Sequence, residues 1–523
     1  MTTHIDHARI EREVAEYYRY ATFSHKWEDN EPLFENVVRI VVYELEESVT
    51  HDKLQMFCKI VRESGFRWAW SDTCCINKAD HFVLQEALVS MFKWYEGSAL
   101  TIVLLRGVRS PSKRGELVRS IWNSRAWTLQ EYHASKVVRF YTEDWKPYLD
   151  LDIPNHKESP EIISEMEEAT RVSTRALMAL RPGLNDVREK LRLASTRQTT
   201  RVEDAAYSLL GIFSMPMGVV YGEGDKALGR FLAQLLTSSG DTSILAWTGQ
   251  SGSFNSCLPS KIIVFDRLLT SHIPTPLERT EMDGAISRLQ SSLLNLTSIM
   301  RLYDRLQELP VPSFVGQRMK LPCLNFKLGP LSAARSTSGH VLRAQTAVGV
   351  VEMRTEEDLA RYGSLYLVHP WIDFLLDRQP IGSGSTVETI PEENEDDRSS
   401  LMSDLPSSTG LSHIVSATPR NRASRLIARL GRPFGVRPPT IRRDVASLRP
   451  PSSLSPSETQ MRALQVIARL RQPFGALLVA PDPGSVASYR RVAAESLITM
   501  QAEEITPTML DKLVNSVRTL DVL

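Results

Sequence analysis

Three polar clusters near the start of the chain hold the side chains best suited to chemistry. Ser24-His25-Lys26-Trp27-Glu28-Asp29 closes a β-rich run, Asp72-Thr73-Cys74-Cys75 closes another, and Arg106-Gly107 opens a third loop. Hydroxyl, imidazole, indole and carboxylate groups at loop positions can hydrogen-bond, stack on and orient a small polar ligand. Each also has a structural role open to it: Ser24 as a cap, Trp27 as packing, Asp72 as the acceptor that closes its turn. Adjacent Ser24 and His25 do not give triad geometry, and no G-x-S-x-G elbow is present. Cys74 and Cys75 lack the C-x-x-C spacing of zinc sites and redox pairs, so they read as buried thiols and no metal site is expected. Gly222-Glu223-Gly224-Asp225-Lys226 lacks the spacer and the final Ser/Thr of a phosphate loop and reads as a turn before a helix.

The elements that must hold these clusters alternate. Tyr18–Ser24, Arg67–Asp72, Ala99–Leu105 and Lys136–Thr142 are strand-length β-rich or apolar runs. Between them, 51–63 puts Leu54, Phe57, Cys58 and Val61 on one helical stripe with Gly65 as its stop. A second helix, 82–96, aligns Leu84, Leu88, Met91 and Tyr95, and a third is expected near 125–132. The alternation predicts an α/β core over about 15–150, with a parallel sheet and right-handed crossovers. Ligands of such sheets bind beyond the carboxyl ends of the strands, where all three polar clusters fall.

Residues 155–240 turn helical: Thr200-Arg201-Val202-Glu203 reads as a capping box opening AAYSLLGIF, and 225–236 as an amphipathic helix. Residues 249–377 hold short pieces such as KIIVFD, LPCLNFKL and HVLRAQTAVGVVEM, predicting a smaller β-rich domain. Over 378–460 an acidic block precedes nine arginines and one acid between Arg420 and Arg449, in the Ser/Pro-rich composition of a disordered tail. The segment 461–523 reads as short and helical, with Pro507 in the first turn of a terminal helix. Its Arg462…Gly475 echoes Arg422…Gly435 at an offset of 40 residues, a duplicated amphipathic helix. Lys+Arg and Asp+Glu both number 62, so no net field draws the chain to nucleic acid or anionic membrane. Apolar runs stop far short of the roughly 20 residues that span a bilayer. The N-terminus lacks a signal-peptide core, and five scattered cysteines make no disulfide framework, so a cytoplasmic protein without a membrane span is expected.

Four blocks, ATFSHKWEDNEPLFENV (21–37), RWAWSDTCCINKAD…LTIVLL (67–105), SRAWTLQEYHASKVVRFYTEDW (124–145) and TRQTTRVEDAAYSLLGIF…YGEGDKAL (196–228), resemble those of fungal heterokaryon-incompatibility (HET) domains, in the same order. Ala126 and Tyr132 depart from the usual Gly and Leu. The resemblance covers about 1–248 and implies a role in non-self recognition and programmed cell death. It also implies other HET or incompatibility proteins as partners, or a homo-oligomer. HET domains are in turn distantly similar to TIR domains, which implies a flavodoxin-like parallel sheet. Many TIR domains cleave NAD with the Glu of a W-C-L-x-E motif, and Trp127-Thr128-Leu129-Gln130-Glu131 is similar to it. This implies Glu131 as the catalytic carboxylate, NAD as substrate rather than cofactor, and Ser24, His25, Trp27, Asp72 and Trp127 as substrate contacts. Trp27 would stack on a base, and His25 and Lys26 would meet the pyrophosphate. Glu131 has a structural reading too, pairing with Arg125 to hold a turn.

Overall fold

The computed structural model describes residues 7–266, 279–290, 296–334, 341–354, 358–370, 456–472, 474–485, 487–494, 498–500 and 505–523. The expected disordered tail over 378–460 lies outside the described residues except at 456–460. Two compact units partition the chain, Met1–Asp377 with Arg462–Leu523 and Arg378–Met461.

In the first unit α1 (His7–Tyr17) leads into β1 (Tyr20–His25), and α2 (Phe34–Val37) and α3 (Val49–Glu63) lead to β2 (Trp68–Ser71). Next come α4 (His81–Glu96) and β3 (Leu100–Leu105), then α5 (Glu116–Arg119), α6 (Ile121–Ser124), α7 (Trp127–Ala134) and β4 (Val138–Thr142). The four strands form a parallel sheet in the order β2-β1-β3-β4, as the alternation predicts. Helices α3 and α4 start where side-chain acceptors stand ready: Ser48 takes the His51 N–H, and Asp80 those of Phe82 and Val83.

Strand parity then sorts the faces. Ala21, Phe23, Leu100, Ile102 and Leu104 pack against Leu54, Phe57 and Val61 of α3. Val103, Leu105, Val138 and Phe140 turn the other way, onto Trp122 and Tyr132 of α6 and α7. Every residue of β3 is buried, which explains why it is apolar apart from Thr101. Since β2 and β3 flank β1 on opposite sides, the strand order reverses at β1, the position beyond whose strand ends such sheets bind ligands.

The helical extension comprises α8 (Pro160–Thr170), α9 (Thr174–Ala179), α10 (Val187–Ser195), α11 (Asp204–Tyr207) and α12 (Lys226–Ser239). The expected capping box at 200–203 does not form. The Glu203 carboxylate instead takes the N–H groups of Gly222 (2.8 Å) and Gly224 (3.1 Å), in a turn whose glycines have φ of 98° and 63°. Such a turn presents donors with no acceptor of its own, and Glu203 supplies one. Helix α11 has four residues, and the rest of AAYSLLGIF continues as turns.

Beyond it lie α13 (Arg279–Gln290), α14 (Leu296–Gln307), β5 (Ser313–Val315), β6 (Arg318–Lys327), β7 (Leu331–Ala334), β8 (Val341–Gln345), β9 (Val350–Met353) and β10 (Tyr366–Pro370). The C-terminal elements are α15 (Pro456–Leu470), β11 (Phe474–Pro481), β12 (Ser488–Arg491), β13 (Ile498–Met500), α16 (Pro507–Ser516) and β14 (Val517–Val522). Strands β6, β10, β11, β12 and β14 pair in a closed ring, while β7–β9 form a separate antiparallel sheet. KIIVFD, read as a strand, is a short 3₁₀ turn at Ile262–Phe265. Likewise 461–523, read as helical, supplies four strands as well as α16. Pro507 does open α16, but Val517–Val522 leaves it to pair with β6, a long-range partner invisible to local pattern. The second copy of the internal repeat runs from α15 into β11, and the first lies outside the described residues.

Gly211 sits where α4 meets the helical extension: a Cβ there would fall 2.2 Å from Phe92 Cβ and 2.9 Å from Gln130 Oε1. Gly211→Ala is expected to cost about 1–3 kcal/mol in urea unfolding. Gly218→Ala, with open space around it, should stay within about 0.5 kcal/mol of wild type.

Candidate functional site

At the carboxyl end of β1 the Ser24 hydroxyl donates to Glu131 Oε2, and the Trp122 indole N–H donates to Ser24 Oγ at 2.7 Å. Glu131 comes from α7 and is 3% exposed. Hydroxyl groups below it fasten α7 to the sheet. Ser135 donates to the Glu131 carbonyl (2.6 Å) and meets Thr101, which in turn meets Thr22 (2.7 Å) and Ser98 (3.2 Å). All four of these side chains are buried, and each finds a partner.

Burial, reinforced by the negative charge of Asp72, pushes the Glu131 carboxyl up to about 7, while Arg125, the Ser24 hydrogen bond and Arg197 hold it down. A carboxyl titrating there can give or take a proton at neutral pH. Arg197, itself lowered to about 10 by burial, arrives from the segment ahead of α11. Its guanidinium donates to the Arg125 carbonyl (3.0 Å), Thr128 Oγ1 (3.0 Å) and Asn123 Oδ1 (3.3 Å). Backbone bonds between Ala126 and Gln198 (3.0 Å) and between Gln198 and Ser124 (2.6 Å) bind that segment to the start of α7, so the helical extension helps build the site.

Trp27, 40% exposed, donates its indole N–H to Asp72 Oδ2 at 3.0 Å, and the Lys78 ammonium lies 3.7 Å over its ring. Burial raises the Asp72 carboxyl against the pull of Arg125 and Lys78. His25 is elsewhere. It stacks on Phe23 at 4.1 Å on the α3 face, and neither ring nitrogen has a hydrogen-bond partner. Burial, with Lys53 and Arg125 adding to it, holds the ring well below its usual range, so it is neutral. Only its carbonyl reaches the rim, accepting from Arg125. Trp127 packs against the core shared with the helical extension and meets Asp204.

The rim therefore joins Ser24 with Glu131 and, beside them, Trp27 with Asp72. It excludes the His25 ring because consecutive strand residues point to opposite faces. Cys74 is buried, but Cys75, read as buried, is exposed, its sulfur accepting the Ser71 N–H at 3.4 Å. Reading by sequence missed Trp122, Lys78 and Arg197. Each lies inside or close to one of the four blocks, but only tertiary contact shows what it meets. Among the described residues no group of three or more His, Cys, Asp or Glu is placed to hold a metal ion. A cavity of about 230 Å³ lies in another part of the fold, lined by the Ser251–Ser256 loop, Gln317, Arg490 and Leu523.

Residues 20–116 match the family model described as "Heterokaryon incompatibility protein (HET)". Over 225 residues the chain is 30% identical to the vegetative incompatibility protein HET-E-1 of Podospora anserina, a match that covers 40% of this chain and 16% of that relative. The chain thus spans only a small part of the length of the curated relative it matches. No solved structure matches.

Glu131 makes stability fall with pH. Its folded pKa is raised, so between the ordinary carboxyl range and about 7 the folded state holds a proton the unfolded chain has lost. The stability from this proton is complete below about pH 4.5 and is lost as pH rises through 7. Glu131→Gln keeps an uncharged side chain there. In urea titrations it should match wild type near pH 5 and exceed it by roughly 1–3 kcal/mol at pH 8. Parallel curves at both pH values would contradict the assignment.

Proposed function

From the premise that residues 20–116 carry a HET domain, we propose that this chain is a cytoplasmic effector or regulator of fungal vegetative incompatibility and programmed cell death, acting by TIR-like hydrolysis of NAD. The observation that carries the reading is a buried carboxyl of pKa about 7 at the point where the strand order reverses. In support, β2-β1-β3-β4 is the first four positions of the flavodoxin-like order 2-1-3-4-5.

The chemistry follows from the groups present. The bond between nicotinamide and ribose C1′ breaks, its electron pair leaving with nicotinamide. The cationic ribose is stabilised by the ionised Glu131 nearby. Water then adds to C1′ and passes its proton to Glu131, giving ADP-ribose. Nicotinamide leaves neutral, so no second carboxylic acid is required. The exposed Trp27 ring offers a stacking surface, and Arg125 and Lys78 replace the neutral His25 as cations for the pyrophosphate. Because Glu131 is 3% exposed, substrate entry requires a movement of the rim that uncovers it.

The same burial favours a second reading, a non-enzymatic module that signals by assembly with its own copies or with other incompatibility proteins. Ser24, itself held by the Trp122 indole, donates to the carboxyl without any ligand, as a structural brace would. Purified full-length chain incubated with NAD separates the two. Chromatography should show free nicotinamide, and Glu131→Ala should cut its release by at least about 100-fold with the circular dichroism spectrum unchanged. No release from concentrated, crowded wild type removes the hydrolase reading and leaves assembly.

A further inference from the structure

Between β1 and α3 the chain displays exposed apolar side chains, over one of which, Tyr43, the Arg62 guanidinium of α3 lies at 5.7 Å. Leu33, Val38, Ile40, Val41, Tyr43 and Val49 are exposed, Val41 at 57% and Val49 at 61%. Val37, Val42 and Leu45 of the same stretch turn inward onto the α3 side of the sheet, which fixes the others outward. Single exposed aliphatics are ordinary, but six in one short stretch mark an interaction surface.

Its charges name the partner. Asp29, Glu35, Glu44, Glu46, Glu47 and Asp52 are exposed around it, against Arg39 as the exposed base of the stretch. Lys53 does not neutralise them, being buried and held by Glu28 and Glu31. Glu35, Glu44, Glu46 and Glu47 make no ion pair with a described residue. Such a rim repels phosphate-rich nucleic acid and anionic bilayers, and it repels the same surface on a second copy. Six exposed carboxylates outnumber Arg39 and the Arg62 guanidinium over Tyr43, and such an acidic apolar face is complementary to a peptide that interleaves arginine with aliphatic residues. We infer that 33–49 is a docking surface for a basic, apolar-interleaved segment of a partner protein.

The probe is a fluorescein-labelled synthetic peptide with the sequence of residues 420–449, chosen because it carries nine arginines, one acid and interleaved Leu, Ile, Val and Phe. Anisotropy with full-length chain should rise saturably, and affinity should fall about 10-fold between about 50 and about 300 mM salt. Glu44→Lys with Glu46→Lys and Glu47→Lys should weaken binding at least about 10-fold. Val38→Ser with Val41→Ser should weaken it about 5-fold while keeping the salt dependence. Both variants change exposed side chains, and unchanged circular dichroism checks their fold. Absence of saturable binding overturns the inference, as does full affinity in both variants or preferential capture of phosphatidylserine vesicles or RNA.

Discussion

A carboxylic acid placed almost out of reach of water must be neutral, bonded, or both. At Glu131 the fold supplies both answers. Burial raises the proton affinity of the group to about neutrality, and Ser24, itself held by Trp122, gives its hydroxyl to the remaining charge. That bond crosses from the end of β1 to the middle of α7, so the position of one helix depends on it. The hydroxyls of Ser135, Thr101, Thr22 and Ser98 repeat the arrangement one layer down. Sheet and helix are thus joined by polar contacts at a place where most parallel sheets present only aliphatic side chains.

Those contacts require everything around them to be in register. Arg125 reaches the carbonyl of His25, and Arg197 binds Asn123 of α6, Thr128 of α7 and the Arg125 carbonyl between them. The helical extension is therefore a wall of the site, and its Arg197 joins Arg125 in holding the Glu131 carboxyl down. Two carboxyl groups raised together by burial, with arginines opposing the rise, form a balance sensitive to small movements of the loop between them.

The β-rich part rests on a different constraint. A ring of strands has no free edge along its closure, so each member must find two neighbours. Strand β14, from the last residues of the chain, lies between β12 and β6 and supplies the pairing that joins them. The chain thus returns to its own middle to finish the ring.

Much of the first part was legible because parallel sheets write themselves locally. The nearly continuous apolar run of β3, the stripe of α3 and the acceptors at Ser48 and Asp80 need no distant partner to be read. The two blocks that fall within the family match, 21–37 and 67–105, were legible for the same reason, being continuous stretches of sequence. Side-chain direction was not. Whether Ser24 or His25 faces α7 depends on which face of β1 that helix covers, and only the assembled sheet decides it. The role of Glu203 and the strand at 517–522 likewise depend on partners far away in sequence. Period and composition determine which elements form. The competition among distant groups for buried donors, acceptors and strand edges determines which of those elements meet, and what their polar side chains become.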